Sequence, residues 1–131
     1  MKTLLISSSV AIVWLVTGAL AAEPPMKDGP VKIEQAQTLI GEGVQLLDVR
    51  TEQEWNAGHL EKAVRVPVTE EGFVEKAKAA LDPKKPVLVY CRSGNRSEKA
   101  AKLLREAGFS KVHELQGGIV AWEAAGKPVT K

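Results

Sequence analysis

The chain contains one cysteine, Cys91, in the run Cys91-Arg92-Ser93-Gly94-Asn95-Arg96-Ser97. A thiolate is a strong nucleophile, and the residues around this one favour the charged form. Arg92 and Arg96 supply fixed cations. A glycine-containing turn can aim successive backbone N–H groups inward as an anion nest, and a helix starting just after it adds partial positive charge. In such settings a cysteine pKa falls from ~8.5 to roughly 3.5–7.5. The same groups would bind an anionic substrate and stabilise charge developing on it. The chemistry indicated is covalent catalysis by a thiolate. The competing reading makes Cys91 a small buried hydrophobe beside a turn. The cationic flank, with Ser93, Gly94 and Asn95 serving no core, favours the reactive thiol.

The elements that must position this thiol are legible around it. Val87 to Tyr90 is continuously apolar, as in a strand buried on both faces, and it delivers Cys91 at its carboxyl end. A helix to about Ala107 follows, with Ala100, Leu103 and Leu104 inward and Gly108 past its end. Upstream, Ile33, Ala36, Leu39 and Ile40 have helical spacing. Val44 to Val49 reads as a strand ending in Asp48-Val49-Arg50. A short helix over 51–57 is closed by Gly58. Val64, Val66 and Val68 alternate as a strand with Pro67 near its end. Phe73 to Leu81 is helical. Downstream, Val112 to Leu115 is a strand, and Gly117-Gly118 opens a last helix carrying Ile119, Ala121 and Trp122. Alternation of strands and helices predicts an α/β domain with a mostly parallel sheet, whose ligands bind at the carboxyl ends of strands.

Length and composition agree with one domain. The 131 residues carry a net charge of +2 with no basic block or stripe, which argues against a nucleic-acid partner. Residues 1–21 read as a signal peptide: Lys2 precedes an apolar run, and Ala19-Leu20-Ala21 has the small-x-small form of a cleavage site. Cleavage after Ala21 or Ala22 would leave no membrane attachment and a periplasmic or secreted product. The alternative is a retained anchor, since Leu4 to Ala22 approaches the ~20 residues that span a bilayer, though serines, Thr17 and Gly18 dilute it. Residues 22–30, with three prolines, read as a flexible lead-in to a domain over 31–129. One cysteine excludes an intramolecular disulfide.

The loop Cys91 to Ser97 closely resembles the active-site loop of rhodanese domains. Leu46 to Leu60 (LLDVRTEQEWNAGHL) is similar to that family's early signature, and Leu115 to Val129 (LQGGIVAWEAAGKPV) to its closing one. The resemblance implies a rhodanese-like fold, a central parallel sheet with helices on both faces, and no cofactor. It implies a sulfurtransferase working by double displacement. Cys91 would take the outer sulfur of a small donor such as thiosulfate and carry it as a persulfide. A thiophilic acceptor, cyanide or a thiol, would remove it. Backbone N–H groups of Arg92, Ser93, Gly94, Asn95 and Arg96 would cradle the persulfide, and the guanidinium groups of Arg92 and Arg96 would attract the donor. Ser97 would donate a hydrogen bond or cap the helix. A second reading makes the domain a persulfide carrier serving a protein acceptor; a third, a regulatory module, is disfavoured by the intact cysteine loop.

Cysteine phosphatases and arsenate reductases are a more distant reading, because they place five residues between cysteine and arginine where this loop has four. Asp48 and Arg50 are expected to be structural near the site. Glu54 is expected to pair with a base, and His59 to bond a turn rather than a metal, having no ligand cluster beside it. His113 is expected at the surface, Trp55 and Trp122 in the core. Lys99 and Lys102 are expected to face solvent, and Glu98 and Lys102 to form a helical pair. Departures from the family are small: one domain where the best known members have two, and Arg65 before Val66-Pro67.

Overall fold

A computed structural model describes residues 26–131. The leader and the early part of the lead-in lie outside the described residues. The elements in order are β1 (Gly29–Val31), α1 (Ile33–Gly41), β2 (Gln45–Asp48), α2 (Glu52–Ala57) and β3 (Val64–Arg65), then α3 (Phe73–Ala80), β4 (Val87–Tyr90), α4 (Asn95–Glu106), β5 (Val112–Leu115) and α5 (Gly118–Ala124). All strand pairs are parallel, in the order β1-β5-β4-β2-β3.

β4 holds the central position because all four of its residues are apolar and fully buried. Its alternate side chains feed two cores. Val87 and Val89 join Leu47, Phe73, Ala77, Ala100 and Leu104, so α3 and α4 cover one face. Leu88 and Tyr90 join Ala36, Leu39, Leu46, Leu115, Ile119 and Trp122, so α1 and α5 cover the other. Truncating such a residue, Leu104 for example, costs about 2–5 kcal/mol through lost transfer energy and the cavity left behind.

Along the sheet the structure differs from the sequence reading in three places. Gly29–Val31, inside and just beyond the segment read as a lead-in, is an edge strand paired with β5. Asp28 secures it by accepting a hydrogen bond from the Val112 N–H at 2.6 Å and pairing with Arg105 at 2.6 Å. Three residues holding a glycine and a proline are too few to show a period-2 pattern. The strand expected over Val64 to Val68 is regular only at Val64–Arg65. Val66 and Val68 still donate to the backbone of Asp48 and Val49, but Pro67 has no N–H to continue a ladder. His113, expected at the surface, is 1% exposed on β5.

Candidate active site

Two loops meet at the carboxyl ends of the adjacent strands β2 and β4. The first carries Asp48, Val49 and Arg50. Arg50 donates to both carboxylate oxygens of Asp48, and a terminal nitrogen reaches the Gly58 carbonyl at 2.7 Å. Both side chains are buried, and the Arg50 guanidinium lies 5.5 Å from the Tyr90 ring centre. Burial works against the Arg50 charge, but the Asp48 carboxylate outweighs it and raises the pKa. The Tyr90 hydroxyl accepts from the Leu60 N–H at 3.1 Å. This network ties β2, the end of α2 and β4 into one rigid floor.

The second loop carries Cys91. Its Sγ receives the Gly94 N–H at 3.0 Å and lies 3.4 Å from Ser97 Oγ. Ser97 Oγ in turn donates to the Gly94 carbonyl at 2.9 Å. Burial opposes a charge on Cys91 and is the largest single influence. The hydrogen-bond contact with the Ser97 side chain and the N–H groups of Ser97, Gly94 and Ser93 together outweigh it, so the thiol titrates below its ordinary value. The arrangement favours a thiolate at a buried, cradled position. Gly94 turns the chain at φ 125°, a conformation that side chains rarely adopt, and the first turn of α4 opens directly on the sulfur.

The loop is held from behind by α5. Ile119 and Val120 donate their N–H groups to the carbonyls of Cys91 and Arg92 at 3.0 and 3.1 Å. This is possible only because residue 118 is glycine. A Cβ there would stand 2.4 Å from the Arg92 carbonyl oxygen, and its φ of +61° also disfavours a side chain. With those carbonyls engaged at the back, the loop N–H groups are left for the sulfur. The sequence reading took Gly117-Gly118 only as a helix start; the docking partner 26 positions upstream is visible only in three dimensions.

The residues expected at the site separate into groups. Cys91, Ser93, Gly94 and Ser97 converge on Sγ. Asn95 begins α4 and is exposed, as is Arg92. Arg96 departs from expectation: its guanidinium is engaged by a carboxylate, although its charge still acts on Cys91. Its two terminal nitrogens grip Glu54 at 2.6 and 2.8 Å. Glu54, hydrogen bonded by Arg96 and by Thr51, has its pKa lowered to about 2, and Arg96 is raised by the same contact. Glu54 also closes the capping box of α2 with Thr51, which fixes its position. The sequence reading expects a basic partner for Glu54 without assigning it, and Arg96 is that partner. His59 stacks on Trp55 with ring centres 3.5 Å apart, bonds the Trp55 carbonyl at 3.0 Å and pairs by backbone with Thr130. Trp55 is therefore half-buried in a local stack rather than a core anchor, whereas Trp122 is in the core.

Beside the Cys91 loop lies an open cavity of about 840 Å³, bounded by the loop, one side of α4 and the end of β5. Lys99 and Lys102 are exposed, as expected, and also line it. No ion pair joins Glu98 to Lys102 among the described residues, although they are four apart on α4. Among the described residues no group of three or more His, Cys, Asp or Glu is placed to hold a metal. No described helix is long and apolar enough to cross a membrane.

Comparison with known proteins is consistent with this geometry. The family model described as a rhodanese-like domain matches residues 32–125. Thiosulfate sulfurtransferase 18 of Arabidopsis thaliana is 41% identical over 103 residues, covering 70% of this chain and 76% of that protein. The tRNA uridine(34) hydroxylase of Chlamydia felis is 35% identical over 104 residues, which are 76% of this chain but 30% of that protein. The solution structure of a rhodanese-like domain from Anabaena sp. superposes with a TM-score of 0.71 at 31% identity, covering 80% of each chain.

Proposed function

This chain belongs to the rhodanese-like family, and from that premise we propose that it is a sulfurtransferase taking a sulfane sulfur from thiosulfate through a persulfide on Cys91. The observation that carries the reading is the buried Sγ, hydrogen bonded by the Gly94 N–H and set against the Ser97 hydroxyl at the start of α4. The Cys91 thiolate attacks the outer sulfur of thiosulfate. The S–S bond of the donor breaks, its electron pair leaves with sulfite, and Cys91 holds a persulfide anion. The loop N–H groups that favour the thiolate favour this anion as well, since charge moves out by only one sulfur. As the charge moves, Ser97 can swing its proton from the Gly94 carbonyl to the sulfur. A thiophilic acceptor, cyanide or a thiol, then attacks the outer sulfur and returns Cys91 as thiolate.

Arg92 is the exposed cation left to steer the anionic donor, because Arg96 is held by Glu54. That same ion pair weighs against phosphatase or arsenate-reductase chemistry, which needs the loop arginine turned onto the oxyanion. The likeness to a hydroxylase reaches 30% of that protein and supports the fold and the loop rather than its activity. The leader-like residues 1–21 support a further proposal, that the chain is exported; amino-terminal sequencing of the mature product tests it.

Intact-mass measurement tests the function. Protein exposed to thiosulfate and freed of donor is expected to gain one sulfur atom, about 32 Da, and to lose it on adding cyanide. The Cys91→Ser variant is expected to gain nothing while remaining folded. A persulfide absent from the wild type refutes the thiosulfate reading; uptake from a polysulfide alone would favour the carrier reading.

A further inference from the structure

We propose that residues 127–130 act as a strap that sets where α2 presents Glu54 to Arg96, which makes His59 and Thr130 positioning residues for the Cys91 loop; this rests on the sulfurtransferase reading above. None of the six residues of α2 is buried. A helix this short does not hold itself together in water, and this one has no packed face to fix its direction. Its ends are anchored. Arg50, before it, is buried against Asp48 and reaches the Gly58 carbonyl; the Leu60 N–H, after it, meets the Tyr90 hydroxyl. Two anchors leave the helix free to roll about the line that joins them. A third contact is needed to settle which way Glu54 points.

The strap supplies that contact. Gly126 turns the chain at φ 75° after α5. The Trp122 indole N–H, rooted in the core, donates to the Pro128 carbonyl at 2.8 Å. Val129 lies over Gly58, its Cγ2 3.7 Å from where a Cβ on residue 58 would stand. Thr130 and His59 then exchange two backbone hydrogen bonds, of 2.9 and 2.8 Å. His59 passes the constraint to α2. Its ring stacks on Trp55 with centres 3.5 Å apart, and its Nδ1 donates to the Trp55 carbonyl at 3.0 Å. Trp55 adjoins Glu54, whose carboxylate holds Arg96 at 2.6 and 2.8 Å. Direct contacts therefore run from Thr130 to the first turn of α4.

The far end of this path carries charge to the sulfur. The Arg96 cation and a Cys91 thiolate attract each other, Glu54 and Asp48 both act on Arg96, and Arg92 is exposed in the loop itself. A cation fixed at this range favours the thiolate more than one that wanders. Residues 128–130 are exposed, and their hydrogen bonds are those to Trp122 and His59. The strap can thus be released without opening either core.

The test is the pH dependence of Cys91 alkylation by iodoacetamide, which reads the thiolate without any sulfur transfer. Thr130→Pro removes the N–H that bonds His59, whereas Thr130→Ala keeps it. Thr130→Pro is expected to raise the midpoint by about half a pH unit and Thr130→Ala to leave it at the wild-type value. Pro128→Gly/Val129→Gly loosens the strap through backbone entropy and is expected to act like Thr130→Pro; it carries the test if the proline variant does not fold. In a Glu54→Gln background, releasing the strap is expected to add no further shift, because the path is already cut. An unchanged or lowered midpoint in a folded strap variant, or an undiminished shift in the Glu54→Gln background, overturns the strap. A wild type that takes up no sulfur leaves the alkylation result standing and refutes the sulfurtransferase reading instead.

Discussion

The carboxylate of Glu54 holds Arg96 through two parallel hydrogen bonds of 2.6 and 2.8 Å, joining the first turn of α2 to the first turn of α4 across the mouth of the sulfur site. Bidentate pairing of this kind fixes orientation as well as distance. It turns a residue expected to greet the substrate into a brace. The two side chains are 30% and 27% exposed, so solvent weakens the bond without abolishing it.

The brace predicts an acid dependence. Glu54 has its pKa lowered from 4.5 to about 2, so it binds fewer protons in the folded than in the unfolded chain. The stabilisation is complete above pH 4.5 and is lost as pH falls toward about 2. Glu54→Gln is expected to cost about 1–2 kcal/mol at neutral pH, after discounting for screening, and to flatten stability between those limits. Urea denaturation at several pH values measures it; an unchanged acid slope would contradict the brace.

Steering by Arg92 predicts a split in the kinetics. Arg92→Ala is expected to raise KM for thiosulfate about three- to tenfold, with kcat nearly kept and a weaker salt dependence. A neutral persulfide donor should be affected little. An equal loss with both donors would remove Arg92 from that role.

Gly118 predicts a backbone effect. Gly118→Ala puts a methyl 2.4 Å from the Arg92 carbonyl oxygen and must push α5 off the loop. We expect a loss of stability of about 2–4 kcal/mol and at least a hundredfold slower persulfide formation. Gly41→Ala, where nothing lies within 4 Å, serves as the control and should be tolerated. Thermal denaturation and the rate of sulfur uptake distinguish the two.

His113 predicts a second pH window. It is buried, its Nδ1 lacks a hydrogen-bond partner, and burial lowers its pKa, with Lys111 and Arg105 acting in the same direction and Asp28 and the Lys27 backbone opposing. The unfolded chain therefore binds the proton more readily. Stability is kept above the ordinary histidine value of about 6.5 and falls as pH drops through it toward the lower folded value. His113→Leu is expected to flatten that fall and to add about 1 kcal/mol at neutral pH by removing an unsatisfied polar atom. Thermal melts at pH 7.5 and 5.5 decide it.

Much of the fold was written locally. β4 is legible because four apolar residues in a row, closed by a polar glycine turn, suit a strand buried on both faces. α4 and α1 are legible because their apolar spacing persists for two or more turns. β1 was missed because its pairing is set by β5 and Asp28 rather than by its own three residues. His113 was misplaced because a polar residue in a four-residue strand carries no mark of which face is covered.

The sequence by itself determined the candidate centre: a lone cysteine at a strand end, a polar glycine turn and a helix behind it, with flanking signatures that name the family. Those are local properties, since anion nests, helix dipoles and turn conformations are built from neighbours in the chain. Tertiary structure alone decided what surrounds that centre. Arg96 belongs to Glu54 across 42 positions, Gly118 backs the loop by permitting a contact, and the exposed Lys99 and Lys102 border an open cavity. Each depends on which groups meet once the sheet is wound, and a charge or a glycine in sequence does not specify its partner.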